Sequence, residues 1–343
     1  MQRCLELARL GEGDTAPNPM VGAVIVYKDQ IIGEGYHRSY GGPHAEVHAI
    51  ESVKDRSRLK ESTIYVSLEP CAHYGKTPPC ADLIIASGIP CVVIGSVDPF
   101  AKVAGRGVAK LQNAGIKVII GILEEECMHL NRRFFTFHRQ KRPYVILKWA
   151  QTLDGFLDID RTHPEFGQPT WISNELSRRV VHQQRTEESA ILIGTNTAFK
   201  DNPSLTVREW SGKQPLRMVI DRQNRLPQTI HLKDGTVPTI IFTQEPSSKT
   251  ANLEWVQLNF RENIIPQLLA VLYERQWQSV VVEGGKQLLQ SFIDFGTWDE
   301  AHVYSGSCWF GSGVAAPRLT VRPSKMADLN GTLLNVFMHP GHP

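Results

Sequence analysis

The first half of the chain contains the stretch Glu69-Pro70-Cys71-Ala72-His73-Tyr74-Gly75-Lys76-Thr77-Pro78-Pro79-Cys80, which follows an earlier His44-Ala45-Glu46. One imidazole and two thiolates are ligands that zinc prefers, and a zinc ion held by three protein groups keeps a fourth position open. The pattern therefore predicts a catalytic Zn²⁺ site with His44, Cys71 and Cys80 as ligands. Glu46 lies close enough to that site to move a proton without binding the metal, so we expect it to be the catalytic carboxylate.

Two other interpretations of these residues stay open at this point. A structural zinc site needs a fourth protein ligand, and His73 is the candidate. Taken one at a time, the same side chains also suit a helix cap, buried thiols and a solvated acid. In combination, the order H-x-E, P-C and a second cysteine is typical of zinc-dependent nucleobase deaminases, and it favours hydrolytic deamination.

Composition sets limits on the class of protein. The chain has 343 residues, and its hydrophobic content of 41% suits a protein with two globular domains. Lys and Arg number 37 against 35 Asp and Glu, so no overall field would attract nucleic acid or an anionic membrane. No apolar run approaches the roughly 18 residues that span a bilayer. The 6 scattered cysteines do not form a disulfide framework, which predicts a cytoplasmic location.

Apolar periodicity and β-branched runs predict a layered α/β/α domain over residues 1–140. The predicted elements are a helix to about residue 10, an antiparallel pair of strands at 21–26 and 30–36, a helix at 44–53, a strand at 63–68, a helix from 80, strands at 91–95 and 117–121, and helices from about 105 and 124. In this arrangement the metal ligands lie at two helix starts and after one strand end.

The basic run Arg139, Lys141 and Arg142, followed by Pro143, marks the seam between the two domains. We interpret it as a solvated linker in preference to an RNA-binding patch. The second domain, residues 143–343, has predicted strands at 144–149, 190–194, 217–221, 239–243 and 279–282 and predicted helices at 174–185, 264–275 and 286–295. The last strand leads into Gly284-Gly285 and a helix, and backbone amides at such a helix start can hold phosphate.

The motifs of the first half resemble those of the bifunctional deaminase/reductase family of riboflavin biosynthesis. The resemblance rests on Thr15-Ala16-Pro17-Asn18-Pro19-Met20-Val21-Gly22 together with the His44 and Cys71 motifs. Cytidine and transfer-RNA adenosine deaminases usually carry C-x-x-C, whereas here eight residues separate Cys71 from Cys80. The resemblance implies a cytidine-deaminase-like fold, a hydrogen bond from Asn18 to the pyrimidine and a contact of Lys76 with the ribose phosphate.

The second half resembles the reductase part of the same family, whose α/β fold is similar to that of dihydrofolate reductase. The matching motifs are Leu147-Lys148-Trp149-Ala150-Gln151-Thr152-Leu153-Asp154-Gly155, Trp171-Ile172-Ser173, Gly194-Thr195-Asn196-Thr197, Asp201-Asn202-Pro203-Ser204-Leu205-Thr206-Val207-Arg208 and Val282-Glu283-Gly284-Gly285. The resemblance implies NADPH contacts at Gln151, Trp171, Thr197, Asp201, Gly285, Lys286, Gln287, Leu288, Leu289, Gln290 and Ser291. It implies substrate contacts at Arg185, Leu205, Arg208 and Glu283, with the two arginines able to clamp a phosphate.

Two details of the second half bear on its chemistry. Lys148 and Asp154 are the polar candidates to assist proton transfer, although an ion pair and a turn explain them equally well. Arg222 stands where some relatives have a serine that helps hold the cofactor, so Arg222 is a candidate ligand for the 2′-phosphate of NADPH.

The family resemblance implies an enzyme that deaminates a diaminopyrimidinone ribosylamine phosphate and then reduces its ribose to a ribityl chain with NADPH. Its expected partner is this small phosphoribosyl pyrimidine, without nucleic acid or membrane, and we expect a homo-oligomer. The alternative function is a transfer-RNA base deaminase whose C-terminal half is a binding module, which a basic stripe with exposed aromatic residues would favour. A zinc scaffold without turnover is the third hypothesis.

Overall fold

The structure is a computed structural model that describes residues 1–73, 78–100, 104–160 and 170–341. The chain divides into two compact units, Met1–Lys141 and Arg142–Pro343, and each is described by itself. Within the described residues, every helix is too short or too polar to cross a membrane.

The first unit is built on one five-stranded sheet. Its elements are α1 (Gln2–Arg9), β1 (Gly22–Tyr27), β2 (Gln30–Tyr36), α2 (Ala45–Glu51), a 3-10 helix (Arg56–Glu61), β3 (Thr63–Leu68), α3 (Cys80–Ala86), β4 (Cys91–Ser96), α4 (Arg106–Asn113), β5 (Lys117–Ile120), α5 (Glu124–Leu130) and α6 (Arg132–Gln140). The strand order is β2-β1-β3-β4-β5. Strand β1 is antiparallel to both of its neighbours, and β3, β4 and β5 are parallel to one another.

The core of this unit explains why its central strands are almost wholly apolar. Ile64 and Val66 on β3 and Val92 and Ile94 on β4 are completely buried in one hydrophobic cluster. Parallel strands that are covered on both faces have continuous apolar runs in their sequences, because neither face meets water. Strand β3 therefore ends at a fixed place, shortly before Cys71.

The second unit is built on one ten-stranded sheet and a two-stranded ribbon. Its elements are β6 (Tyr144–Gln151), β7 (Phe156–Asp158), α7 (Glu175–Glu187), β8 (Ala190–Gly194), α8 (Thr195–Asp201), β9 (Leu216–Ile220), a 3-10 helix (His231–Lys233), β10 (Thr239–Thr243), β11 (Ser248–Lys249), β12 (Leu253–Gln257), α9 (Ile264–Glu274), β13 (Ser279–Glu283), α10 (Lys286–Phe295), β14 (Glu300–Ser305), β15 (Val314–Ala315), β16 (Lys325–Asp328) and β17 (Leu333–Met338).

The parallel direction of several strands in this unit places their carboxyl ends at one edge of the sheet. The order is β11-β12-β10-β9-β8-β13-β6-β14-β17-β16. The strands from β12 to β14 in that order are parallel. Loops that leave the carboxyl edge of parallel strands form a crevice in which ligands bind, so the turns after β8, β9 and β13 face a common space.

Most elements of the predicted second domain are confirmed, but its last part is not. The predicted strands at 190–194 and 239–243 and the helix at 286–295 have the observed bounds. We predicted no strand after residue 295, whereas β14, β16 and β17 complete one end of the sheet. The pattern also missed α6, α8 and the short strands β7, β11, β12 and β15.

Candidate active sites

The three proposed zinc ligands lie together in the first unit. The ligand atoms of His44, Cys71 and Cys80 all lie within 4.8 Å of one another. His44 is the N-cap of α2 and Cys80 is the first residue of α3, so two helix starts and the loop after β3 supply the group. The Nδ1 atom of His44 lies 3.3 Å from the Cys80 Sγ atom and 3.6 Å from the Cys71 Sγ atom.

This donor set fits zinc. The backbone amide of Cys80 donates to the Cys71 Sγ atom at 3.3 Å, and hydrogen bonding to the Cys80 side chain holds the pKa of the Cys71 thiol well below its usual value. A thiolate stabilised in this way is the form that binds a metal. Within the part of the chain that the structure describes, neither His73 nor Glu46 joins the group, so a three-ligand site is the arrangement present.

Glu46 lies in the first turn of α2 and is 3% exposed. Burial raises the pKa of its carboxyl, and the charge on His44 partly opposes that rise. A buried carboxyl beside the metal group, with its pKa moved toward neutrality, is suited to accept a proton and to return it.

Asn18 is held by His37, a residue that the sequence interpretation did not single out. The His37 Nδ1 atom lies 3.0 Å from the Pro43 carbonyl oxygen, so it carries the proton and donates. The Nε2 atom is then an acceptor, and the Asn18 Nδ2 group donates to it at 3.2 Å. The His37 ring in turn packs edge-on against the His44 ring at 5.4 Å. Asn18 is thus linked through His37 to the proposed ligand His44, whereas Lys76 lies outside the described residues.

Two further acids shape this site, and the sequence interpretation did not assign them. The Glu69 carboxylate accepts from the backbone amides of Asp98, Gly105, Gly107 and Val108 at 2.8 to 3.2 Å. Burial raises the pKa of Asp98 to about 7, although the Phe100 amide donates to its carboxylate. The position of Glu69 directly before Pro70-Cys71 was the only available signal, because the loop that it holds is remote in sequence.

The second unit contains a cavity of about 1210 Å³ at the carboxyl edge of its parallel strands. All of the predicted ligands in this unit except Gln151 line it, namely Trp171, Arg185, Thr197, Asp201, Leu205, Arg208, Glu283, Gly285, Lys286, Gln287, Leu288, Leu289, Gln290 and Ser291. Gln151 lies outside the lining, and its side-chain oxygen accepts from the Trp149 indole at 2.8 Å. The cavity is larger than the usual range of about 300–1,000 Å³ for ligand pockets.

Arg185 and Glu283 pair with each other in this cavity. The Arg185 Nε and Nη2 atoms donate to the two Glu283 carboxylate oxygens at 3.2 and 2.9 Å. Lys148 Nζ lies 3.9 Å from the same carboxylate. Burial alone would raise the pKa of Glu283, but the charges of Arg185 and Lys148 outweigh it and hold that pKa well below its ordinary value. Glu283 is therefore ionised.

Arg208 is the more available of the two arginines. Its side chain is exposed toward the cavity, whereas Arg185 is 9% exposed and also donates to the Thr206 carbonyl. The Arg208 backbone amide donates to His182 Nδ1 at 3.1 Å. Burial, helped by the two arginines, lowers the pKa of His182 to about 4, so this ring is neutral near pH 7. His182 therefore positions the segment that carries Arg208.

The turn Gly284-Gly285 fits a dinucleotide. Gly284 has φ +110, and a Cβ atom there would lie 2.7 Å from the Thr197 Cγ2 atom. Gly285 is the N-cap of α10, and no side chain caps that helix. The amides of the first turn therefore face the cavity without a side-chain acceptor, which is the arrangement that binds a pyrophosphate.

Comparison with known proteins decides the family. Residues 143–334 match the family described as the RibD C-terminal domain, and residues 1–96 match the cytidine and deoxycytidylate deaminase zinc-binding region. The riboflavin biosynthesis protein RibD of Aquifex aeolicus is 42% identical over 327 residues, which cover 94% of this chain and 90% of that protein. The chain belongs to the RibD family. It therefore contains a zinc-dependent deaminase domain and an NADPH-dependent reductase domain.

Two other RibD relatives agree with this assignment. RibD of Bacillus amyloliquefaciens is 44% identical over 333 residues, covering 93% of this chain and 86% of that protein. The crystal structure of a diaminohydroxyphosphoribosylaminopyrimidine deaminase/5-amino-6-(5-phosphoribosylamino)uracil reductase from Thermotoga maritima superposes with a TM-score of 0.87 at 39% identity, covering 99% and 97% of the two chains. The predicted fold class and bifunctional activity are confirmed, and a transfer-RNA deaminase is not favoured.

Proposed function

We propose that this chain deaminates 2,5-diamino-6-ribosylamino-4(3H)-pyrimidinone 5′-phosphate and then reduces the ribose of the product to a ribityl chain. The similarity to the Thermotoga maritima deaminase/reductase supports the choice of substrate. The group of His44, Cys71 and Cys80 beside a buried Glu46 is the observation that carries the first step. We assign this step to residues 1–140 and the second step to residues 143–343.

In the first step, His44, Cys71 and Cys80 would hold zinc, which when bound supplies a Lewis acid that makes water nucleophilic near pH 7. The Glu46 carboxylate accepts a proton as water attacks the carbon that bears the amino group. The same carboxyl then donates that proton to the departing nitrogen, so ammonia leaves, and the second proton of the water ends on the ring nitrogen as the carbonyl forms. Asn18, fixed by His37, orients the pyrimidine by a hydrogen bond. We also assign the contact with the ribose phosphate to Lys76, which lies outside the described residues.

In the second step, the cavity of the second unit would hold NADPH and the ring-opened product together. NADPH, when bound, supplies the hydride, and the protein aligns it with the first carbon of the ribose. We assign cofactor contacts to Trp171, Thr197, Asp201 and the segment from Gly285 to Ser291, which line the cavity. For Gln151, which lies outside the lining, a cofactor contact is supported by the family resemblance alone. We assign substrate contacts to Leu205, Arg208 and the Arg185–Glu283 pair. Hydride addition at that carbon sends the electron pair of the C=N bond to the nitrogen, and Lys148, half-buried beside Glu283, is the group from which a proton can reach that nitrogen.

Glu46→Gln tests the first step. We expect the variant to keep one zinc per chain while its deamination kcat falls about 10²- to 10⁴-fold, because the amide cannot carry the proton. Glu51→Gln, an exposed change at the end of the same helix, serves as the control. A Glu46→Gln protein with full zinc and full deaminase activity would contradict the mechanism.

Arg208→Gln tests the second step. With the deaminated intermediate as substrate, we expect KM to rise at least about tenfold while the Kd for NADPH stays the same, since the lost cation binds only the substrate phosphate. Arg179→Gln, on the exposed face of α7, is the control. If the intermediate causes no oxidation of NADPH by the wild-type protein, the assigned reductase substrate is wrong.

We also propose a cytoplasmic homo-oligomer. A reducing compartment keeps Cys71 and Cys80 available for zinc. The edge strand β5 supports association, because its Ile119 and Ile120 side chains are 37% and 41% exposed. Sedimentation of the wild-type protein and of Ile120→Lys tests this: we expect an assembly that the charged variant weakens, and a wild-type monomer at micromolar concentration would refute it.

A further inference from the structure

The ammonium group of Lys148 lines the cavity of the second unit without a hydrogen-bond acceptor among the described residues. The Glu283 Oε2 atom lies 3.9 Å from Nζ, beyond hydrogen-bonding distance, and both Glu283 oxygens already accept from Arg185. A long, flexible side chain gains little from so distant a charge when it gives up its conformational freedom. Another contact is therefore needed to hold the ammonium in one place.

The register of the sheet brings Tyr304 to the side of Lys148. Strand β14 runs parallel to β6, with His302 opposite Lys148 and Tyr304 opposite Ala150. Residues two apart on a strand, and residues opposite each other on neighbouring strands, point to the same face of a sheet. The Lys148 Nζ atom lies 5.7 Å from the centre of the Tyr304 ring. At distances up to about 6 Å an ammonium is attracted to the face of an aromatic ring.

The Tyr304 ring is itself held by a chain of buried polar groups. Burial raises the pKa of Tyr304, so its hydroxyl is protonated, and it donates to Gln184 Oε1 at 3.4 Å. The Gln184 Nε2 group donates to His302 Nδ1, and His302 Nε2 donates to the Glu300 carboxylate at 2.9 Å. The Tyr144 hydroxyl donates to the other Glu300 oxygen at 2.8 Å. Each donor in this chain has an acceptor, which fixes the orientation of the Tyr304 ring.

Charged groups on the neighbouring elements also act on Lys148. Burial lowers the pKa of Lys148, the carboxylate of Glu283 on β13 opposes this effect, and Arg185 on α7 adds to it. His182 on the same helix acts on Glu283. His302 on β14 has both ring nitrogens engaged by other side chains. An aromatic face beside Lys148 therefore favours the ammonium form in a place where burial favours the neutral amine.

A ring also leaves the protons of Lys148 available. Tyr304 is 1% exposed and does not line the cavity, so it contacts Lys148 from behind. Its face attracts the positive charge but is not a directed acceptor such as a carboxylate oxygen. The N–H donors of the ammonium can therefore turn toward a ligand in the cavity.

We propose that Tyr304 is a positioning residue of the reductase step: its ring holds the Lys148 ammonium beside Glu283, and Gln184 and His302 keep that ring in place. Lys148 is then placed to protonate the nitrogen that receives the electron pair. This inference rests on the proposed role of Lys148 and adds residues that do not contact the substrate.

The protonation of Lys148 tests this contact without substrate or cofactor. In competitive labelling of the full chain, acetic anhydride reacts with the neutral amine only, and mass analysis of the peptide that carries Lys148 gives its pKa from the labelled fraction at each pH. We expect Tyr304→Leu to lower this pKa by about 0.5 to 1 pH unit. Tyr304→Phe, which keeps the ring face, should hold it within about 0.2 pH unit of wild type.

Two rings of nearly equal size separate the charge of the ring face from its volume. Pentafluorophenylalanine at position 304 has nearly the shape of phenylalanine, but its fluorines reverse the negative charge of the face. It should lower the Lys148 pKa as Tyr304→Leu does, and it gives this result even if the smaller leucine disturbs the fold. Tyr273→Leu is the matched control: this partly buried tyrosine on α9 lies outside the cavity lining, and its loss should leave the Lys148 pKa unchanged.

The pH dependence of reduction is the second readout. A proton donor acts only while it is protonated, so the rate of reduction falls as pH rises through its pKa. With NADPH and the deaminated intermediate, Tyr304→Leu should move this fall by about 0.5 to 1 pH unit toward lower pH, while the Kd for NADPH stays within about twofold of wild type. A merely structural disturbance of the cavity would instead raise that Kd and leave the pH of the fall in place.

The outcomes separate this inference from the proposed function. Equal Lys148 pKa values in Tyr304→Phe and in the pentafluorophenylalanine protein overturn the inference and leave the proposed function standing. A Lys148 pKa that falls as expected, with no change in the pH dependence of reduction, overturns Lys148 as the proton donor and with it the positioning role of Tyr304.

Discussion

At the scale of single residues, Arg217 shows how the second unit holds a buried charge. Its side chain is completely buried, and its guanidinium donates to Thr239, Asp234 and the carbonyls of Ser204, His231 and Val237 at 2.8 to 3.3 Å. A buried cation costs free energy unless its donors are satisfied. Here each nitrogen has a partner, so the residue ties the loop at Ser204, the segment from His231 to Val237 and the start of β10 to β9.

Asp234→Asn tests the charged part of this network. Although burial opposes ionisation, the hydrogen bond from Arg217 and the donors of Thr236 lower the pKa of Asp234 from 3.8 to about 2. A lowered folded-state pKa stabilises the protein above the unfolded pKa, and this contribution is lost as pH falls from about 4 toward about 2. We expect Asp234→Asn to cost about 1 kcal/mol of unfolding free energy at pH 7, after allowance for partial exposure, and less at pH 3.

Urea unfolding of both proteins between pH 3 and pH 7 measures this difference. Asp160→Asn, an exposed aspartate, is the control and should change little at any pH. A cost that stays constant over the whole pH range would mean that packing, and not the ion pair, stabilises this corner.

At the scale of elements, glycine turns at strand ends line the reductase cavity. The turn between β13 and α10 packs against Thr197 of α8, so two elements that are distant in sequence share one contact. A side chain at Gly284 would collide with Thr197 and would also adopt an unfavourable positive φ. The turn therefore has two roles: it packs against Thr197 of α8, and it forms the proposed phosphate site.

Gly284→Ala should weaken NADPH binding by at least about tenfold, because the turn must move off Thr197 to admit the methyl group and the amides of α10 move with it. Fluorescence titration with NADPH gives the Kd. Gly296→Ala is a matched control, since Gly296 also has a positive φ but a Cβ atom there meets nothing within 4 Å. Equal losses in the two variants would mean that backbone strain, and not the contact with Thr197, accounts for the effect.

The elements that sequence could and could not predict differ in how regularly they place apolar residues. Strand β3 and helix α10 follow their periods, and both were predicted with the observed bounds. Strand β14 was missed because Glu300 and His302 interrupt its apolar pattern. These two side chains are buried together at 2.9 Å, and Glu300 also accepts from the Tyr144 hydroxyl at 2.8 Å. A polar pair that tertiary contacts satisfy carries no periodic signal.

The residues of the candidate sites, too, could be predicted only where their chemistry leaves a pattern in the sequence. The metal group could be predicted because ligand chemistry restricts the residue types and their order along the chain. His37, Glu69 and His182 act by holding other residues through backbone or amide contacts, and such contacts have no sequence signature. Arg185 and Glu283 were both expected to contact substrate, but their mutual pairing became visible only when α7 and β13 were in place.

At the scale of the whole molecule, the two units have separate hydrophobic cores. The first core lies around β1, β3 and β4, and two further clusters cover the faces of the ten-stranded sheet. The proposed zinc ligands belong entirely to Met1–Lys141, and the cavity lining belongs entirely to Arg142–Pro343. Loss of one ligand should therefore affect one activity.

Removal of zinc tests this independence. After dialysis against a strong chelator, we expect deamination to fall below about 1% of its starting rate, while NADPH oxidation with the prepared intermediate stays within about twofold. Readdition of zinc should restore deamination. A parallel loss of both activities would show that the reductase domain needs the metal-bound form of the first unit.

The Glu69 carboxylate joins the strand end that leads to Cys71 with the loop that carries Asp98 and with the start of α4. A displacement of that loop is therefore expected to displace the proposed metal ligand Cys71 as well. Thermodynamic linkage makes such a connection reciprocal. If a pyrimidine phosphate that contacts the loop raises the affinity for zinc, then zinc must raise the affinity for that ligand by the same factor. Occupancy of the metal site and the position of that loop are thus expected to be coupled.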